Sequence, residues 1–210
     1  MKRMGKPYLY KFLSWIYHRL DEVNEVERQT NLHRIATLAS STQIGPEGTI
    51  ENFLGDPACV IVGENSYVRG RLLTYGHGGK ISIGSWCYIG IRTEIWSMDS
   101  ITIGDRVLIA HDVNIHDGTA HSKDLKDRHE HYQHILRKGH PLSWNDLPGI
   151  ASAPVVIEDD VWINFGVSIL KGVRIGKGSV IAANSIVTED VPENVLYRNR
   201  IDPIITPLNA

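Results

Sequence analysis

Apolar residues recur at every sixth position over long stretches of this chain. That interval suits neither a helix of 3.6 residues per turn nor a strand that alternates every two residues. Ile157, Ile163, Ile169, Ile175, Ile181 and Val187 form the longest run. Ile83–Ile89–Ile95 and Ile103–Ile109–Ile115 repeat it upstream, and Ile44–Ile50 and Val62–Val68 carry it more faintly. One structural unit must therefore return every six residues. Gly45, Gly63, Gly84, Gly90, Gly104 and Gly176 each follow one of these plugs, which predicts a tight glycine corner after each inward side chain. Three flat sides make a triangular coil of about 18 residues, and stacked coils pair as parallel strands about 4.8 Å apart. The expected fold is all-β: a parallel β-helix, a triangular prism of hexapeptide coils over residues 41–192.

The flanks read differently. In residues 1–40, Leu9, Phe12, Leu13, Ile16, Leu20 and Val23 recur at three- and four-residue steps, the pattern of an amphipathic helix. Lys2, Arg3, Lys6, Lys11 and Arg19 precede any acid, and Asp21, Glu22, Glu25 and Glu27 follow. Such a helix packs on its own coils or on a neighbouring subunit, or lies on an anionic membrane surface through residues 1–28. Residues 193–210 form a tail. Between Ile115 and Val155 the period vanishes, which predicts a structureless excursion loop over residues 117–154. His116, His121, His129, His131, His134 and His140 fall in or beside it. A loop that leaves a rigid scaffold carrying titratable groups is a natural active-site wall.

Composition narrows the function classes. A chain of 210 residues fits one domain, and a net charge of −2 gives no reason to expect nucleic-acid binding. Cys59 and Cys87 form no CxxC pair and are too few for a disulfide scaffold, so a reducing cytoplasm is expected, optionally at the inner face of a membrane. No apolar run approaches the roughly 18 residues that a membrane span needs.

Three strings carry a resemblance: Ile101-Thr102-Ile103-Gly104-Asp105-Arg106-Val107-Leu108-Ile109-Ala110, Asp160-Val161-Trp162-Ile163-Asn164, and Ser185-Ile186-Val187-Thr188-Glu189-Asp190-Val191-Pro192. They resemble the hexapeptide-repeat acyltransferases, whose coils wind left-handed, and within them the branch of maltose, galactoside and surface-polysaccharide O-acetyltransferases. The resemblance implies an acetyl-coenzyme A donor, a sugar hydroxyl acceptor, a role in surface polysaccharide or lipopolysaccharide biosynthesis, and no required metal. In that family a histidine that opens the excursion acts as general base, and His121 matches it. Imidazole, with a reference pKa near 6.5, suits proton transfer from a hydroxyl at neutral pH. Asp117 is the nearest carboxylate in sequence that could hold the far ring nitrogen. Acceptor contacts are expected from the preceding coil, at Arg92, Glu94 and Trp96.

Donor contacts fall along the last coils. Trp162 matches a family tryptophan at the acetyl end of the donor tunnel, with Asn164 and Phe165 beside it. Ala182 and Ala183 match a small-residue strip along the pantetheine arm, and Thr188 a donor-contact residue. Pro203 stands where the family places a basic residue, so Arg198, Arg200 or Lys171 is expected at the phosphate. The resemblance also implies a homotrimer with sites between subunits, and Trp86, Trp96 and Phe165 are expected as exposed aromatic contacts. Other readings stay open. His111 and His116, five apart, with His77 two coils back, resemble the zinc ligands of γ-class carbonic anhydrases. An N-acetyltransferase on an amino sugar and a catalytically inert scaffold are the remaining alternatives.

Overall fold

The computed structural model describes residues 6–200. Its coils form a left-handed parallel β-helix with three faces. The first face stacks Thr37–Leu38, Val60–Val62, Ile81–Ile83, Ile101–Ile103, Val155–Ile157 and Arg174–Ile175. The second stacks Gln43–Ile44, Tyr67–Val68, Tyr88–Ile89, Leu108–Ile109, Trp162–Ile163, Val180–Ile181 and Leu196–Tyr197. The third stacks Thr49–Asn52, Arg71–Thr74, Glu94–Ser97, Asn114–His116, Ser168–Ile169 and Ile186–Val187. The coiled region thus starts at Thr37 and ends at Tyr197, beyond both ends of the expected 41–192.

The six-residue period becomes three vertical stacks. Val62, Ile83, Ile103, Ile157 and Ile175 lie in register on the first face. Ile44, Val68, Ile89, Ile109, Ile163 and Ile181 do so on the second. Ile50, Leu72, Ile95, Ile115, Ile169 and Val187 do so on the third. All are buried, so each coil fills the axis with one branched side chain per face and each stack continues through every coil.

The corner glycines act otherwise than the sequence suggests. None of the six has a positive φ; at most corners the left-handed residue stands two positions later, as at Asn65, Trp86, Arg92, Arg106 and Gly178. What the glycine supplies is room. A Cβ on Gly84 would meet Gly104 O at 2.6 Å, and one on Gly90 would meet the Ala110 carbonyl carbon at 2.5 Å. The corners are also tied from coil to coil by ion pairs between left-handed residues, Arg92 with Asp112 (2.6 Å) and Arg106 with Asp160 (2.6 Å).

Helix α1 spans Lys6–Ile35. It meets the prism only through its last two turns, where Leu32 is buried and Arg28 donates to Ile44 O (2.8 Å). Leu9, Phe12, Leu13, Trp15, Leu20, Val23 and Val26 are exposed, so the apolar stripe does not cover the protein's own coils. Lys2, Arg3 and Pro203 lie outside the described residues.

Candidate active site

The corner where the third face turns into the first is where the coils lengthen. Ile50 to Val62 spans twelve positions, Leu72 to Ile83 eleven and Ile95 to Ile103 eight, before the excursion itself leaves between His116 and Val155. The insertions stack on one another and build a cavity of about 290 Å³. Tyr75, His77 and Met98 come from the shorter insertions, Trp96 from the third face, and Ala120, His121, His131, Tyr132, Ile135, His140, Pro141 and Leu147 from the excursion. These spacing breaks were the sequence signal for Tyr75 and Met98, which the motifs did not single out; His77 was named only in the zinc reading.

The excursion is ordered, contrary to the expected structureless loop. Helix α2 spans Leu125–Lys138, opened by Asp124, whose side chain accepts from the N–H groups of Lys126 and Asp127, and closed by Gly139 at φ 85°. The base is pinned as a hairpin, with Gly118 bridging Ser152 and Thr119 N–H donating to Ala151 O (2.9 Å). The return segment lies back on the earlier insertions: His140 stacks on Phe53 (5.0 Å between centroids), and Leu147 is buried.

His121 stands on a tight turn. Ala120 has φ 56°, a conformation rare for alanine, and His121 N–H donates to Thr119 O at 2.6 Å. Its Nδ1 lies 3.2 Å from Nδ1 of His131, which α2 carries and which is 8% exposed. At that distance one ring donates and the other accepts. Burial, with the neighbouring histidines His121, His140, His134 and His77, holds the His131 imidazole below its ordinary value.

Asp117 does not hold His121. It is fully buried and accepts from Ser97 Oγ (2.7 Å), Met98 N–H (2.6 Å) and Asp99 N–H (3.0 Å). It thereby fixes the shortest insertion from below, although burial still pushes its carboxyl pKa up. Four residues in sequence put Asp117 inside the corner and His121 outside it.

The expected acceptor residues separate. Trp96 lines the cavity, half-buried beneath the Arg71 guanidinium (5.0 Å) rather than exposed, and its Nε1–H donates to Glu94 Oε2 (2.7 Å). Arg92 sits at another corner, paired with Asp112. Lys171 and Thr188 lie exposed at the excursion's corner, one and two coils further along the prism. Trp162 is exposed on the second face, opposite that corner. Phe165 (44% exposed), Asn164, Ala182 and Ala183 occupy the corner between second and third faces, with Phe165 stacked on His111 (5.3 Å). Arg198 and Arg200 are exposed near the end of the described chain.

One chain does not bring the three histidines of the zinc reading together. His111 stacks on Phe165, His116 packs against Trp96 (5.0 Å) and His77 is buried between Tyr75 and Trp144. Among the described residues no group of three His, Cys, Asp or Glu side chains is placed to hold an ion. His129 lies on the outer surface of α2, 2.8 Å from Gln133.

Residues 154–189 match the model of the bacterial transferase hexapeptide, six repeats, and residues 80–111 match the hexapeptide repeat of succinyl-transferase. A protein of Escherichia coli (strain K12), named for O-acetyl transfer in lipopolysaccharide biosynthesis, is 32% identical over 159 residues, covering 75% of this chain and 76% of its own. The chain belongs to the hexapeptide-repeat acetyltransferase family. The galactoside O-acetyltransferase of Escherichia coli (strain K12) is 37% identical over 135 residues, which span 64% of this hexapeptide-repeat protein but only 57% of the galactoside enzyme. The crystal structure of an N-acyltransferase from Bacillus cereus shares the fold, with a TM-score of 0.61 at 20% identity over 81% of this chain and 83% of that one.

Proposed function

We propose that this protein is an acetyl-coenzyme A-dependent O-acetyltransferase that modifies a sugar hydroxyl in surface polysaccharide or lipopolysaccharide assembly. The observation that carries the reading is the cavity. His121 opens onto it from a strained turn, and no Lys, Arg, Asp or Glu lines it, which suits an uncharged sugar ring packed against Tyr75, Trp96 and Tyr132. His121 Nε2 accepts the hydroxyl proton as the oxygen attacks the thioester carbonyl carbon. The tetrahedral intermediate then collapses, the C–S bond breaks, and the coenzyme A thiolate takes the proton back from His121. No acyl-enzyme is needed.

The donor is proposed to run along Trp162, Asn164, Phe165 and the small-residue strip of Ala182 and Ala183 to Thr188, with Lys171, Arg198 or Arg200 meeting phosphate. The exposed aromatic shelf and the thin corner fit a pantetheine arm. Trp162 faces away from the corner that bears His121, so one chain cannot bring both to one thioester. A second copy can, and we propose a homotrimer with its sites between subunits. Among the described residues no helix is long and apolar enough to cross a membrane. The exposed aromatic stripe of α1, with Lys11 and Arg19, is proposed to rest on the anionic inner face of one, the rest of the protein being cytoplasmic.

The test is coenzyme A release from acetyl-coenzyme A against a panel of glycosides, oligosaccharides, nucleotide sugars and amino sugars, with the product located by NMR. An ester on a sugar hydroxyl, formed by the wild type and not by His121→Ala, is the expected result. An amide on an amino sugar would replace this reading by N-acetylation.

A further inference from the structure

The excursion contributes a second histidine whose ring meets His121 nitrogen to nitrogen, and the general-base reading leaves it without a role. Both rings line the same cavity, and their Nδ1 atoms are 3.2 Å apart with the planes inclined at 60°. A contact between two Nδ1 atoms has room for one proton. If His131 carries it, His121 Nδ1 is the acceptor and a neutral His121 holds its hydrogen on Nε2, where no proton can be received. If His121 carries it, Nε2 keeps the lone pair that a general base needs.

We propose that His131 is the positioning residue of this site: a neutral imidazole whose Nδ1 accepts the His121 Nδ1–H, and which thereby does the work that a carboxylate does in other base-assisted acyl transfers. The proposal rests on the assignment of His121 as general base. It also accounts for two observations. The nearest carboxylate, Asp117, is turned inward and committed to Ser97, Met98 and Asp99. And His131 is buried in a ring of histidines, His77, His134 and His140 besides His121, that disfavours a second positive charge, so it stays the acceptor when His121 becomes imidazolium. Tyr75, whose phenol burial pushes up, and Tyr132 are the other titratable groups facing the cavity. The proton path is local: hydroxyl to His121 Nε2, then thiolate, with the Nδ1–H retained between the two rings throughout.

The polarity of the contact is directly readable. Long-range proton–nitrogen correlation spectra of the full-length protein with ¹⁵N-labelled imidazoles distinguish a protonated ring nitrogen from a bare one. Above the titration of His121, the wild type is expected to show His121 protonated at Nδ1 and bare at Nε2, and His131 the reverse. His131→Leu removes the acceptor and should return His121 to the Nε2–H form that predominates in free histidine. His131→Asn, whose side-chain oxygen falls near the position of Nδ1, should restore the Nδ1–H form. In the acetyl-coenzyme A assay, His131→Leu should lower kcat on the order of 10-fold or more, within the 10²- to 10⁴-fold that a general base contributes, with KM little changed, and His131→Asn should regain most of it. His121 found protonated at Nε2 in the wild type, or unmoved by His131→Leu, overturns the proposal. An active His121→Ala protein would instead overturn the general-base reading, so the two failures are distinct.

Discussion

Asp117 and His121 sit on opposite sides of one corner, and their replacement should act on different properties. Asp117→Ala leaves the Ser97 hydroxyl and two backbone N–H groups without an acceptor in a fully buried place. A loss on the order of 3 kcal/mol is expected, read as a lowered midpoint in thermal or urea unfolding. His121→Ala removes an exposed ring and should leave that midpoint unchanged while turnover falls on the order of 10²- to 10⁴-fold. Arg92→Ala breaks a corner ion pair that water reaches, so the unfolding midpoint should hardly move. Had Arg92 bound the acceptor, KM would rise sharply, which kinetics on the same variant would report.

At the scale of elements, the excursion is a lid built on buried histidines. Burial holds the imidazoles of His77, His116 and His131 below the ordinary value of 6.5. As pH falls through about 6.5 the unfolded chain takes up protons on these residues and the folded chain does not, so folding stability drops. Above that pH the contribution of the three residues is flat. Unfolding midpoints measured between pH 8 and pH 5 should therefore decline below about 6.5. His77→Phe should shallow the decline, since it removes one of these buried imidazoles, whose Nε2 has no hydrogen-bond partner among the described residues. Helix α1 behaves as a separate element. Its turns before Arg28 touch little of the prism, so a chain starting at residue 27 should unfold at nearly the wild-type midpoint. Loss of binding to anionic vesicles in that shortened chain would support the membrane contact. Dissociation of the assembly would assign α1 to the subunit interface instead.

For the whole molecule, the second face is the informative surface. Tyr67, Tyr88, Leu108, Trp162, Val180 and Leu196 stack outward in register, and Leu108, Trp162 and Leu196 are exposed. An apolar ladder of that length usually marks a contact. Light scattering should report about three times the 23.5 kDa chain mass. If the sites are shared, inactive His121→Ala and Trp162→Ala chains that are unfolded and refolded together should regain part of the activity. Full activity at 23.5 kDa, or no recovery from such mixtures, would refute the shared site.

The sequence by itself determined the prism. A coil that buries one side chain per face repeats its demand every six residues, and Ile83, Ile103 and Ile157 report it without knowledge of any distant partner. His121 was proposed through the resemblance rather than the period: the family sets its general base in the string after Ile115, the last plug before the excursion. The cavity was decided by tertiary structure alone. Its walls join insertions from successive coils and a return segment 64 residues away from His77, and no local periodicity records which loops will stack at one corner. The partner of His121 was equally hidden. Nearness in sequence favoured Asp117, but the chain crosses the corner between the two, turning the carboxylate into the core and bringing α2 over the histidine.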